Sequence, residues 1–267
     1  MLMQHFKQLR GGFMLIDERH NQILGIVKEK TFVSVEDLAK MVYASPATIR
    51  RDLSDLEMAG LIQRVRGGAS TLGASTGETS SLVRKQTNVL EKRKLATAAL
   101  SFIKNGQSYF LDSSTTVGQI IPLLGKKQDV TFITTGLENA YSLSLNSNAN
   151  TYITGGLVQS KVASTIGGDA IAYINHFHCD AFIFSCHGFS VESGPNEGTI
   201  EQQRCKEAML AHSTQHILLV DHSKFDKTLV ASVCPLSDLD IIITDAKPSK
   251  PYLDAFEKLG IQLVIAD

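Results

Sequence analysis

Apolar positions in the first seventy residues recur at helical spacing, whereas later in the chain they bunch into short runs. Between Glu18 and Lys28, Ile23, Ile26 and Val27 form a stripe that Leu24 widens, which predicts an amphipathic helix ending near Lys30. Ser34 followed by Asp37 has the form of an N-cap, and Leu38, Met41 and Val42 give one buried face to a short second helix. Ser45-Pro46 opens a third. Serine can accept from the free amides, and proline at the first helical position gives up no needed donor. Ile49, Leu53 and Leu56 share its inner face, which leaves Ala47, Thr48, Arg50 and Arg51 outward. Gly60 is placed to end this helix, with Leu61 folding back on Leu56. Leu61 to Arg66 then reads as a short strand before a Gly67-Gly68 turn.

Beyond residue 90 the pattern changes. Leu95, Ala98, Ala99, Phe102 and Ile103 make a helical stripe that stops at Asn105-Gly106. Apolar runs follow at 109–111, 130–133, 151–153, 181–184, 217–220, 241–243 and 263–265, several separated by helix-length stretches. Strands alternating with helices predict an α/β domain with a mostly parallel sheet. Ser70 to Ser81 is rich in Ser, Thr and Gly and poor in large apolar residues, as linkers are. The expected organisation is a winged helix-turn-helix over 14–70, a linker over 71–87 and a larger α/β sensor domain over 88–267. Met1 to Phe13 receives no functional assignment.

Composition leaves this picture standing. A chain of 267 residues with 43% hydrophobic residues has room for two cores and is not mainly disordered. No apolar run reaches membrane-spanning length and no signal-peptide pattern opens the chain, so a cytoplasmic protein is expected. The four cysteines, Cys179, Cys186, Cys205 and Cys234, form no C-x-x-C pair, and His176-x-His178 lacks a second ligand cluster; no metal and no cofactor are expected. Net charge is -1, but Arg50, Arg51, Arg64 and Arg66 lie within seventeen residues, and clustered cations supply the phosphate-binding part of nucleic-acid affinity.

Three helices with a tight turn before the third describe a helix-turn-helix, whose last helix enters the major groove by its N-terminal end. On this reading Ser45, Ala47, Thr48, Arg50 and Arg51 face double-stranded DNA, and Arg64 and Arg66 reach backbone phosphates from the wing. In the sheet domain, ligands belong at the carboxyl ends of the strands. There stand Asp112-Ser113-Ser114-Thr115-Thr116, Thr134-Thr135-Gly136, Gly155-Gly156, Ser185-Cys186-His187-Gly188 and Asp221-His222-Ser223-Lys224. A hydroxyl-rich loop entering a helix at Gln119 can bind an anion or serve as an ordinary cap. No dinucleotide or nucleoside-triphosphate fingerprint occurs, so a small anionic ligand fits better.

The stretch from Glu18 to Ala69, above all Thr48-Ile49-Arg50-Arg51-Asp52-Leu53, resembles the DNA-binding domain of the DeoR family of transcriptional regulators. Arg66 stands where a histidine is common in that family. The pattern from about Glu91 to Asp245 resembles the family's sensor domain, which is similar in fold to ribose-5-phosphate isomerase. The resemblance implies a repressor, acting as a homodimer or homotetramer, that leaves its operator when a phosphorylated sugar binds. It implies effector contacts from Asp112, Ser113, Ser114, Thr115, Thr116, Thr135, Gly155, Gly156, Gly188 and Lys224. Thr135-Gly136 replaces an Asn-Ser pair often found in the family, and Gln202 replaces a glutamate. Without that carboxylate an isomerase would lack an obvious general base, so a binding domain is expected; an active sugar-phosphate isomerase is the alternative, and redox regulation through Cys179 or Cys186 a third.

Overall fold

The computed structural model describes residues 18–27, 29–30, 32–58, 61–65, 67–70, 81–125 and 127–267. Gly60, Arg66 and residues 71–80 of the expected linker lie outside them. The chain divides into two compact units, Met1–Val83 and Arg84–Asp267.

The first unit holds α1 (residues 18–27 and 29–30), β1 (Phe32–Ser34), α2 (Val35–Met41), α3 (Pro46–Met58), β2 (Gln63–Val65) and β3 (Gly68–Ser70). Ile23, Val27, Leu38, Ile49, Leu53 and Leu56 close its core, joined by Val33, Ile62 and Ala69 from around the small sheet. Ser34 caps α2 by accepting from the Asp37 amide at 3.0 Å. The Leu61 amide donates to the Leu56 carbonyl at 2.8 Å, the six-to-one bond of a Schellman ending. β3 pairs antiparallel with both β1 and β2, making a three-stranded sheet where the sequence showed one short strand and a turn. Gly68 is required there, because a Cβ would lie 2.2 Å from the Val33 carbonyl oxygen.

The second unit contains α4 (Ser81–Gln86), which straddles the division, then α5 (Val89–Ala99), β4 (Ser108–Leu111), β5 (Thr131–Thr134), α6 (Leu137–Asn146), β6 (Asn150–Ile153), β7 (Leu157–Gln159), β8 (Ser164–Ile166), α7 (Gly168–Ile174), β9 (Cys179–Phe184), β10 (Gly188–Ser190), β11 (Gly194–Glu197), α8 (Ile200–Ala211), β12 (Ser213–Leu219), β13 (Ala231–Ser232), β14 (Ile241–Thr244), α9 (Lys250–Leu259) and β15 (Gln262–Ile265). The helix α4 corrects the linker expectation for 81–86. All seven apolar runs are strands of one parallel sheet ordered β15-β14-β12-β9-β4-β5-β6. Alternate residues feed opposite cores: Phe182 and Phe184 point to one, Ala181 and Ile183 to the other. Burial on both faces is why these strands read as continuous apolar runs rather than alternating ones.

One expectation fails locally. The helix expected from Gln119 is instead two 3-10 turns, Val117–Gln119 and Ile121–Leu123. Pro122 has no amide to give an α-helix, so the turn cannot lengthen. The Ser/Thr loop therefore has no long helix dipole behind it.

Candidate functional site

In the first unit Ser45 caps α3: its Oγ accepts from the Thr48 amide at 3.1 Å and lies 2.8 Å from the Thr48 hydroxyl. With Ile49, Leu53 and Leu56 buried, Ser45, Ala47, Arg50 and Arg51 are exposed and Thr48 is partly so. Arg64, exposed on β2, pairs with Glu57 at 3.7 Å. Arg66 lies outside the described residues. The buried Asp52 accepts from Arg19 Nε at 2.6 Å and Nη2 at 2.9 Å, with His20 Nε2 at 3.2 Å. This fork fixes α1 against α3, and it raises the Arg19 pKa through the Asp52 hydrogen bonds. Within the Thr-Ile-Arg-Arg-Asp-Leu run the aspartate thus serves the fold while both arginines are left outside.

In the second unit the strand order reverses beside β4: β5 and β6 lie on one side, β9, β12, β14 and β15 on the other. Such a switch point opens a crevice at the carboxyl ends of the two central strands, here β4 and β9. Asp112, directly after β4, bridges it. Its Oδ1 accepts from the Ser114 amide at 2.9 Å and its Oδ2 from the Ser185 amide, beyond β9, at 3.0 Å. Lys206 from α8 lies 2.9 Å from Asp112 Oδ2, donates to the Ser185 carbonyl at 2.5 Å, and pairs with Glu197. Glu197 in turn holds His187 Nδ1, and His187 Nε2 lies 3.0 Å from Arg84 Nη1. Burial alone would raise the Glu197 pKa, but Lys206 and His187 outweigh it and hold the carboxyl at about 2. Burial likewise opposes the charge on Lys206, yet Asp112 and Glu197 raise its pKa above the usual lysine value. Asp112 is thus occupied by protein donors, and what it leaves facing the crevice is the loop it shapes.

That loop is lined by hydroxyls and cations. Lys92, from α5, donates to Thr115 Oγ1 at 3.1 Å and also to the Arg84 carbonyl. Burial and then the neighbouring charges of Lys224 and Arg84 push the Lys92 pKa down to about 8. Arg84 Nε and Nη2 are buried and find no hydrogen-bond partner among the described residues. Asn88 ties the start of α5 to the Lys224 turn by donating to Asp221 Oδ1 and Ser223 Oγ, each at 3.0 Å. A lysine on a threonine hydroxyl, within the field of two further cations, is an anion-binding arrangement supplied by side chains in place of a helix dipole.

Of the residues singled out from sequence, Ser113, Ser114, Thr115 and Thr116 share the β4 loop, Thr135 is buried after β5, and Lys224 closes the turn after β12. Gln202 meets the same loop, its Oε1 accepting from Ser113 Oγ at 3.3 Å. Gly155 and Gly156 follow β6, two strands from β4. Gly188 opens β10, and a Cβ there would fall 2.4 Å from the Lys227 carbonyl oxygen, a packing requirement. Arg84, Lys92, Glu197 and Lys206 were missed. No motif marks them; the usable signal was a lysine on the helix before β4, on the turn facing the loop. Burial raises all four thiols, Cys205 to about 11 and Cys179, Cys186 and Cys234 to about 12, which disfavours the thiolate form that redox chemistry uses. Among the described residues no group of three or more His, Cys, Asp or Glu side chains is placed to hold a metal ion, and no helix is long and apolar enough to cross a membrane.

A helix-turn-helix unit with an arginine-bearing third helix, followed by an α/β sensor domain, defines a DNA-binding transcriptional regulator. Residues 19–73 match the model of the DeoR-like helix-turn-helix domain, and residues 87–246 that of the DeoR C terminal sensor domain. The chain belongs to the DeoR family. The HTH-type transcriptional regulator GolR of Listeria innocua is 31% identical over 250 residues, which cover 94% of this chain and 98% of that one. The glycerol-3-phosphate regulon repressor of Escherichia coli is 31% identical over 246 residues, 92% of this chain and 97% of its own. Among solved structures, ribose 5-phosphate isomerase A from Methanocaldococcus jannaschii overlaps 54% of this chain and 57% of that one, with a TM-score of 0.40 at 17% identity.

Proposed function

We propose that this regulator is a repressor of a sugar- or polyol-phosphate operon, released from its operator when a small phosphorylated effector binds the β4 loop. The observation that carries the reading is Lys92 beside the sheet's switch point, donating to Thr115 Oγ1 while the charges of Lys224 and Arg84 act on it. A phosphate matches both the charge and the donors, and the repressor of the glycerol-3-phosphate regulon among its relatives is in keeping with such an effector. Ser45, Ala47, Thr48, Arg50 and Arg51 would read the major groove, with Arg64 and Arg66 on phosphates. Two copies would engage two half-sites, so a homodimer or a homotetramer is the working assembly.

The effector must bind the DNA-free form more tightly than the DNA-bound form. A thermal-shift screen of phosphorylated sugars and polyols, followed by DNA release with any hit, tests this. Stabilisation by a phosphorylated compound that is lost in Lys92→Met is the expected result. Stabilisation that survives Lys92→Met would move the effector elsewhere. We also infer that the domain binds without turnover. The side chain facing Ser113 is the amide of Gln202, which accepts no proton, and the Glu197 carboxylate is engaged by Lys206 and His187. Incubation with pentose and hexose phosphates should return them unchanged; product formation would restore the isomerase reading.

A further inference from the structure

Arg84 does more than add charge. Its Nη1 faces His187 Nε2, while its Nε and Nη2, one edge of the guanidinium, are buried without a partner among the described residues. With His187 Nδ1 directed at Glu197 and Nε2 at Arg84 Nη1, the ring fixes how the Arg84 plane is turned. The Nε/Nη2 edge is the same one by which Arg19 grips both oxygens of Asp52 in the other unit, at 2.6 and 2.9 Å. Within this molecule that edge is thus seen filled by two oxygens of one anion. A buried guanidinium edge left unfilled is costly, and a group with two adjacent oxygens is its complement.

The position of Arg84 gives this edge a consequence. It belongs to α4, the helix at which the division between the units falls, after Val83. Inside the sensor unit α4 is tethered at three points: the Arg84 carbonyl accepts from Lys92, Arg84 Nη1 meets His187, and Lys85 pairs with Glu138 at 2.8 Å. Two of the three involve side chains of the anion cluster or its buried support. We propose that Arg84 is a two-pronged ligand of the effector's phosphate and that, by gripping it, the effector clamps α4, so that occupancy of the sheet crevice is reported at the chain's exit toward the DNA-binding unit. This rests on the effector-site reading above and adds the route by which the site is heard.

The test uses the full-length protein with inorganic phosphate as the probe, reading phosphate affinity by calorimetry and amide exchange of residues 81–86 and 112–116 by mass spectrometry. In the wild type, saturating phosphate should slow exchange in both segments. Arg84→Gln, which retains a hydrogen-bonding head for His187, should weaken phosphate by about tenfold and, at saturation, still protect 112–116 but no longer protect 81–86. Arg84→Lys keeps the charge without the fork and should recover part of the affinity and little of the α4 protection. An Arg84→Gln protein that binds phosphate as the wild type does, or that still protects α4, would overturn this inference alone. Wild-type protein in which phosphate protects neither segment would overturn the effector site and this inference together.

Discussion

At Lys206 one ammonium satisfies two buried carboxylates, Asp112 and Glu197, and neither has another cation from α8 to turn to. Lys206→Met is therefore expected to lower stability by about 3–5 kcal/mol, the usual consequence of leaving buried charge uncompensated, as read from urea unfolding. The pH dependence is fixed by direction. Because the folded Glu197 carboxyl sits at about 2, below its ordinary 4.5, its contribution is complete above pH 4.5 and drains away as pH falls toward 2. Glu197→Gln should flatten that part of the stability profile relative to wild type. Lys92 behaves oppositely, since burial beside Lys224 and Arg84 brings it down to about 8. An anion needs it charged, so sulfate affinity should hold steady below pH 8 and fall by up to about tenfold per unit above it. A sulfate isotherm unchanged between pH 7 and 9.5 would remove Lys92 from the site. Asp112 was legible in the sequence as the residue after a strand, whereas Lys92, Glu197 and Lys206 were not, because a lone Lys or Glu outside any motif carries no sign of which way the chain will turn it.

Elements were far more readable than residues. The parallel strands announce themselves because both faces are buried, and α3 because Ser45-Pro46 and the Ile49-Leu53-Leu56 stripe agree. What escaped was short and polar. The β10-β11-β13 sheet is built from stretches such as Gly188-Phe189-Ser190 and Gly194-Pro195-Asn196-Glu197, which lack the alternation that marks a strand, and β7 and β8 have three residues each. The failed helix after β4 shows the same limit: hydroxyls that look like a cap are compatible with a 3-10 turn when Pro122 stands in the next one. At this scale the cap and the wing are testable. Ser45→Ala should destabilise the first unit by about 1 kcal/mol. Gly68→Ala, which drives a Cβ to within 2.2 Å of the Val33 carbonyl oxygen, should cost about 1–3 kcal/mol by forcing β3 away from β1. Circular dichroism melts of both variants would measure the two effects side by side; a neutral Gly68→Ala would mean that the wing yields without loss.

For the whole molecule, the decisive fact is that the apolar interior is divided. Ile23 to Ala69 form one cluster, and the sensor unit has two of its own on opposite faces of its sheet. A core as small as the first supports only marginal stability, whereas the sensor unit buries a much larger one. Separate cores in two compact units imply that heating should produce two transitions, the one from the smaller unit first. Ligands then act on whichever unit binds them: phosphate at one hundred times its Kd should add about 2.7 kcal/mol to the sensor transition and leave the early one in place. Ser45→Ala should do the reverse, moving only the early transition. Differential scanning calorimetry on the full chain distinguishes these cases. If phosphate and Ser45→Ala each shift a single common transition, the units unfold as one body, and the signal from the effector passes through shared cooperativity rather than through α4 alone. If they shift separate transitions, the units are energetically independent at rest, and the coupling that releases DNA must be created by the effector at α4, where the division between them falls.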